Sequence, residues 1–233
     1  MKKIILANWK VNVSPAKAEQ WLVEFKRKYQ PDSFLQVILA PSFLHLPLLK
    51  DVFDPSDNIF WAAQDVSPYP PGSYTGAVPA AWLQGLADFV LIGHRERRRY
   101  FHETIQDAAN KVREAVSAGL TPILCMDREI AGSQMAALDS SDMEQLILAY
   151  TPEDAVALEI ARSVDAVSGT AAYFTELSGG CPVLYGGGVN AGNVGLFMAS
   201  PHLSGVMTAA GSLDPHEFVR LLDNAGRAVA GKE

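Results

Sequence analysis

The sequence feature that most constrains the fold is a series of eight short apolar segments that alternate with helix-like segments. The apolar segments are rich in Ile, Val and Leu without clean polar alternation, a pattern typical of strands buried on both faces. Because strands that alternate with helices return to the same sheet edge through a crossover, they pair in parallel. Eight such units predict an α/β chain folded as a closed (β/α)8 barrel. The segments are residues 4–9, 36–40, 59–63, 89–93, 122–126, 145–150, 182–187 and 205–209.

Length and composition agree with one barrel. The chain has 233 residues, and barrels of this kind run to about 250. Apolar residues make up 48% of the chain and charged residues 19%, which is enough for a large core and too little charge for disorder. No low-complexity linker interrupts the alternation. We therefore predict a single domain over residues 1–233.

Three of the intervening segments have clear helix signals. A hydroxyl cap followed by proline is typical of a helix start, and single-sided apolar stripes are typical of helices that pack on a core. The first helix begins at Ser14 and Pro15, the second ends at Gly119, and the third follows Asp214 and Pro215. Their stripes are Trp21, Leu22 and Phe25; Ile105, Ala108, Ala109, Val112, Ala115 and Val116; and Phe218, Leu221, Leu222 and Ala225.

Charge and cysteine content exclude several classes of protein. The net charge of −7, with no basic tail, argues against nucleic acid or an anionic membrane as the main partner. The apolar residues after Lys2 and Lys3 are too few for a signal peptide, and no segment reaches membrane-spanning length. Cys125 and Cys181 match no metal spacing, so we expect reduced cysteines, no metal site and a cytoplasmic protein.

The segment from Asp88 to Phe101 contains the first candidate for catalysis. Its buried strand stops at a Gly-His pair and passes directly into charged residues. This places His94 at the carboxyl end of a strand, where parallel sheets and barrels carry their active sites. A lone histidine is more often structural than catalytic, but other motifs in this chain also lie at the ends of predicted strands.

Five motifs together resemble the triosephosphate isomerase family almost from end to end. Each motif alone is weak, whereas five in the right order, each after a predicted strand, are specific. The motifs are Ala-Asn-Trp-Lys at 7–10, Ala-Gln-Asp-Val-Ser-Pro-Tyr at 63–69 with Tyr-Thr-Gly at 74–76, Ile-Gly-His-Arg-Glu-Arg-Arg at 92–98, Tyr-Gly-Gly-Gly-Val at 185–189, and residues 205–213.

The resemblance implies roles for four residues and requires no cofactor. Lys10 matches the ammonium that faces the substrate phosphate and the developing enediolate, and Asn8 matches a positioning residue. His94 matches a neutral imidazole that donates a hydrogen bond to the substrate carbonyl, a role that is established for the family and taken from it. Glu96 matches an acidic residue near Lys10, and an ion pair with Arg97 or Arg98 is an equally good interpretation.

Two further regions are assigned by the same resemblance. Gly186, Gly187, Gly188, Ala210 and Gly211 match the phosphate-holding loops, where glycines let the backbone approach an anion; a plain turn is the alternative. Asn190 is then a candidate cap for the next helix. The Pro- and Gly-rich loop 67–76 matches the dimer loop, with Thr75 as the intersubunit contact, so we predict a homodimer that binds a small phosphorylated triose.

The pattern departs from the family after the sixth strand. The family carries its catalytic glutamate there, followed by a long lid, whereas this chain reads Tyr150-Thr151-Pro152-Glu153-Asp154. Thr151 and Pro152 predict a helix start, and Val156, Ile160, Val164 and Val167 predict that one helix continues without a lid. The fifth βα loop also looks short. Arg95 replaces a small residue and is expected to be solvated, and Ala209 and Ala210 replace two glycines.

Two functions remain open from the sequence. The first is a triosephosphate isomerase, which interconverts dihydroxyacetone phosphate and glyceraldehyde 3-phosphate, with activity weakened or lost and with Glu153 or Asp127 as the replacement base. The second is a non-catalytic or repurposed barrel that binds a small phosphorylated ligand or a protein partner. The motif residues favour the first function, and the missing glutamate favours the second.

Overall fold

A computed structural model describes residues 2–231; of the predicted domain 1–233, residues 1, 232 and 233 lie outside the described part. Eight parallel strands form a closed barrel in sequence order, and closure comes from β1 pairing with both β2 and β8. The predicted (β/α)8 fold is confirmed, with strand bounds within about two residues of prediction. The strands are β1 Lys3–Asn8, β2 Leu35–Ala40, β3 Ile59–Ala63, β4 Phe89–Ile92, β5 Thr121–Met126, β6 Ile147–Tyr150, β7 Val183–Tyr185 and β8 Gly205–Thr208.

Helices of very different length surround the barrel. The long ones cover its outer face, and short ones lie within the connections. They are α1 Pro15–Lys28, α2 Leu46–Leu49, α3 Arg95–Tyr100, α4 Ile105–Ser117, α5 Ala131–Ala136, α6 Glu153–Leu158, α7 Val164–Leu177, α8 Val194–Met198 and α9 Pro215–Ala230. Single 3-10 turns occur at Pro55–Asp57, Ala80–Leu83, Ser140–Met143 and Ala210–Ser212.

The three helices with clear sequence signals are confirmed as α1, α4 and α9. Ser14 caps α1 and accepts a hydrogen bond from the N–H of Lys17. Asp214 caps α9 in the same way. Thr104 and Asp107 form a reciprocal capping box at the start of α4, an arrangement that satisfies two otherwise unpaired N–H groups. The predicted stripes of α1 and α9, and most of the α4 stripe, are buried.

The core has two layers, as expected for a barrel. Inward-facing side chains such as Leu6, Ile38 and Leu184 fill the barrel interior, and outward-facing ones pack against the helices. Trp21, Phe25 and Phe218 stack where α1 meets α9. Each such ring contributes about 1.5–3 kcal/mol by burial, so this outer layer fixes the helices and holds the strand ends in register.

The prediction that one continuous helix follows β6 without a lid is wrong, because an interrupted segment follows β6 and contributes Val156 and Glu159 to the cavity wall. α6 ends at Leu158, Glu159 adopts a left-handed backbone with φ 54°, and α7 starts anew at Val164 with Ser163 as its cap. Thr151 is fully buried and does not cap α6, which begins after Pro152. A left-handed residue cannot continue a right-handed helix. Residues 151–163 therefore form a separate connection between β6 and α7. We call these residues, which include α6, the cap segment.

Within residues 2–231, no helix combines the length and the apolar character needed to cross a membrane.

Candidate active site

The carboxyl ends of the strands surround a cavity of about 170 Å³. Most of the predicted site residues line it, although they are spread over the sequence. The lining consists of Asn8, Lys10, His94, Val156, Glu159, Gly186, Gly187, Gly188, Val189, Asn190, Met207, Thr208, Ala209, Ala210 and Gly211. The barrel topology therefore brings together the ends of β1, β4, β7 and β8 with the cap segment.

Lys10 is held at the cavity by an unusual backbone conformation. Its φ is 50°, which non-glycine residues rarely adopt outside sites with strong surrounding constraints. The side-chain oxygen of Asn8 accepts the Lys10 N–H at 3.0 Å, and the amide of Gln64 donates to the Lys10 carbonyl at 2.8 Å. These two contacts stabilise the turn and direct the ammonium group towards the cavity wall.

Glu96 does not line the cavity but connects two residues that do. Its Oε1 lies 2.7 Å from the Lys10 ammonium, and its Oε2 lies 3.5 Å from Nδ1 of His94. Of the two interpretations, an ion pair with Lys10 is therefore the one observed. Arg97 instead pairs with Asp65 and Glu103.

His94 is a neutral imidazole at the start of α3. Its pKa is lowered to about 4, mainly by burial; Glu96 opposes the shift, and the cations Lys10, Arg98 and Arg95 add to it. The N–H of Glu96 donates to Nδ1 at 3.3 Å, so the proton resides on Nε2. At neutral pH the ring can donate one hydrogen bond from Nε2 without carrying charge.

The glycines after β7 differ in what they can offer an anion. The N–H of Gly186 donates to the carbonyl of Tyr150 at 2.8 Å and is therefore used in the barrel. Gly188 has φ 58°, and a Cβ there would lie 2.5 Å from the backbone N of Ala161. Only glycine allows the cap segment to approach so closely. We call residues 186–188 the glycine loop.

The expected helix cap at Asn190 is wrong. α8 begins only at Val194, after Asn193. The side-chain oxygen of Asn190 instead accepts the N–H of Gly192, and the backbone N–H of Asn190 donates to the side-chain oxygen of Asn193. A tight turn thus follows the glycine loop, and no helix start faces the cavity from this side.

Among the described residues, no carboxylate directly after Tyr150 lines the cavity. Thr151 is buried, and its hydroxyl lies 3.4 Å from the carbonyl of Met126. Glu153 pairs with Arg95 at 3.0 Å, and its N–H donates to Asp127 at 2.9 Å. Neither Glu153 nor Asp127 is among the lining residues.

The expectation that Arg95 is a solvated charge is wrong. The residue is only 8% exposed, and its Nε has no hydrogen-bond partner among the described residues. The side chain extends from the end of β4 to Glu153 after β6. A cation therefore lies beside His94, where it helps to keep the imidazole neutral.

Sequence reasoning missed several lining residues, among them Val156, Glu159 and Thr208. Val156 and Glu159 lie on the cap segment, where helical spacing predicted a helix and gave no sign of a cavity. Thr208 ends β8 and donates to the carbonyl of Val189 at 2.7 Å; its place at a strand end could have suggested it. Cys125 is buried, and burial raises its pKa to about 12.

Loop 67–76 projects from the same end of the barrel. Tyr69 and Tyr74 stack with ring centroids 4.5 Å apart, which stiffens the loop, and Thr75 at its tip is exposed. Val11, Leu44 and Phe101 are also largely exposed and lie on the connections after β1, β2 and β4. Exposed apolar residues on neighbouring loops are typical of a protein interface.

Comparison with known proteins was made on the sequence. The family model described as triosephosphate isomerase matches residues 3–225. Relatives named triosephosphate isomerase are 31% identical in Thermus thermophilus, with 97% of this chain and 100% of the relative covered, and 32% identical in a Synechococcus strain, with 99% and 100% covered. The Thermus alignment spans 258 positions against 233 residues here, which leaves at least 25 positions without a counterpart in this chain.

Proposed function

The chain belongs to the triosephosphate isomerase family, and we propose that its cavity binds a triose phosphate but isomerises it slowly. Binding is supported by the lining residues. The Lys10 ammonium, Asn8 and His94 converge on a cavity whose opposite wall is built from the glycine loop and from Ala210 and Gly211. A cation and close-approaching backbone suit a phosphate group, and a neutral imidazole suits a carbonyl oxygen.

We propose slow turnover because the residue that follows β6 is not a carboxylate. Conversion of dihydroxyacetone phosphate into glyceraldehyde 3-phosphate requires a base that removes a proton from carbon. The residue after Tyr150 is a buried threonine, and the neighbouring carboxylates of Glu153 and Asp127 are engaged in other contacts. A positioned base contributes on the order of 10²–10⁴ in rate, so a loss of this size is expected.

The positions of the Thermus thermophilus relative that have no counterpart in this chain support shortened loops. The fifth connection runs from Asp127 to Leu146 and holds only the six-residue α5 and one 3-10 turn. With less chain around the cavity, water reaches a bound enediolate more easily. We therefore propose that a shortened fifth connection accompanies the missing base.

A coupled assay with glyceraldehyde 3-phosphate tests the function. We expect measurable but slow isomerisation that falls at least about tenfold in His94→Ala and is unchanged in His216→Ala, an exposed histidine on α9. If wild type and His94→Ala are equally inactive, isomerisation is excluded. Binding of a phosphorylated enediolate analogue would then favour the alternative, a non-catalytic barrel that holds a small phosphorylated ligand.

We also propose a homodimer formed through loop 67–76, with Thr75 as the intersubunit contact. The stiff loop and the exposed Val11, Leu44 and Phe101 support this assembly. We also propose that the protein is cytoplasmic. Its two cysteines are free and buried, which is consistent with a reducing compartment.

A further inference from the structure

The pairing between β7 and β8 stops short of the cavity. Its register ends at the pair of Tyr185 with Val206. Gly186 and Met207, which follow that pair directly, are the first residues of the two chains to line the cavity. The glycine loop and residues 209–211 therefore extend past the ladder of these two strands, and their separation depends on contacts beyond it.

Thr208, the last residue of β8, supplies such a contact. Its Oγ1–H donates to the carbonyl of Val189, directly after the glycine loop, at 2.7 Å. The two residues are only 3% and 5% exposed, so water does not compete for the bond, and a hydrogen bond shielded in this way is strong. The backbone of Thr208 is paired with Ala7 on β1, which gives the hydroxyl a fixed base.

Gly211 packs against the same contact from the other side. A Cβ there would lie 2.7 Å from Oγ1 of Thr208 and 3.2 Å from the carbonyl oxygen of Val189, so a side chain would displace the hydroxyl. The turn that contains Gly211 is itself held by the barrel wall, because Nε1 of Trp21 donates to the carbonyl of Ser212 at 3.1 Å. The hydroxyl thus joins a fixed turn after β8 to the end of the glycine loop.

We propose that Thr208 is a positioning residue that sets the separation of the two phosphate-holding segments, the glycine loop and residues 210–211. It acts through Val189 and Gly211. The inference rests on the proposed function, because it takes the phosphate group of a triose phosphate as the ligand of these segments. Without the hydroxyl, the carbonyl of Val189 loses its donor, and the phosphate meets a less preorganised site.

Binding of glycerol 3-phosphate to the full chain, measured by titration calorimetry, tests the positioning role, because this probe has the phosphate group but no carbonyl. In Thr208→Val, which keeps the shape and loses the hydroxyl, we expect Kd to rise at least about fivefold. KM for glyceraldehyde 3-phosphate should rise by the same factor, with kcat within about twofold of wild type, since binding is lost and the chemical step is not. Thr208→Ser, which restores the hydroxyl, should bring Kd back to within about twofold of wild type.

A second variant approaches the same contact from the turn. Gly211→Ala places a methyl group against Oγ1 of Thr208 and should weaken binding of glycerol 3-phosphate at least about fivefold as well. Thermal unfolding verifies that each variant folds. The matched controls are Thr170→Val, which removes a buried hydroxyl that donates to a carbonyl within α7, and Gly169→Ala, where a Cβ meets no atom within 4 Å. Both should bind as wild type does.

The outcomes separate this inference from the proposed function. If wild type binds glycerol 3-phosphate and Thr208→Val binds it equally well, the positioning role is overturned and the proposed function stands. A Thr208→Ser variant that is as weak as Thr208→Val overturns the role too, because the hydroxyl would then not be the cause. A wild type that does not bind the probe overturns both.

Discussion

The electrostatic character of the cavity depends on a few charged residues around one neutral ring. Lys10 and Arg95 lie close enough to His94 to disfavour its protonation, and Glu96 joins Lys10 to the ring. Because the imidazole is also buried, it remains an uncharged donor. Lys10 therefore contributes an ammonium group to the cavity wall, and His94 contributes a neutral hydrogen-bond donor.

His94 makes stability dependent on pH. In the unfolded chain its pKa is 6.5, whereas in the folded chain it is about 4. Between these values the unfolded state binds more protons, so stability falls as the pH falls. Urea unfolding at pH 7 and pH 4.5 should show that wild type loses about 2 kcal/mol more than His94→Gln. Equal losses in the two proteins would contradict a neutral, buried His94.

Sequence reasoning located the motif residues of the cavity but not their partners. Asn8, Lys10 and His94 lie at the ends of predicted strands or directly after them, so the barrel pattern places them at one end. The contact between Arg95 and Glu153 joins residues 58 positions apart, and no local pattern contains it. For this reason Arg95 was predicted to be solvated and Glu153 was considered as a free base.

At the scale of elements, the cap segment is the part whose structure was predicted least well from the sequence. Val156, Ile160 and Val164 have helical spacing, which predicts one continuous helix. The interruption at Glu159 depends on tertiary contacts, namely the hydroxyl of Tyr185 that accepts the N–H of Arg162 and the close approach of Gly188. Contacts of this kind override local propensity.

The strands and the long helices were predicted well for the opposite reason. Their apolar segments and caps are local signals, and the same apolar residues are buried in the two layers of the barrel core. β6 was predicted to begin two residues earlier than observed, at Gln145, an error typical of strand ends.

At the scale of the whole molecule, the exposed loops after β1 to β4 form the surface through which we expect the proposed homodimer to assemble. A loop tip that enters a partner near Asn8 and Lys10 would make each site depend on two chains. Sedimentation at micromolar concentration should give a mass near twice 25.2 kDa. Thr75→Arg places a charge in the contact and should give monomers.

Gln20→Arg, on the exposed side of α1, is the matched control and should remain dimeric. A monomeric wild type would contradict the proposed dimer. So would a Thr75→Arg variant with unchanged mass, since the tip of the loop would then lie outside the interface.

The central claim is that the cavity lacks a carboxylate at the position directly after Tyr150, and kcat/KM for glyceraldehyde 3-phosphate in Thr151→Glu tests it most directly. Thr151→Gln serves as a control of equal size without charge, and thermal unfolding verifies that both variants fold. The account predicts that Thr151→Glu raises kcat/KM by on the order of 10² over wild type, whereas Thr151→Gln does not. A wild type that is already as fast as Thr151→Glu, or faster, would show that another base is in place and would contradict the claim.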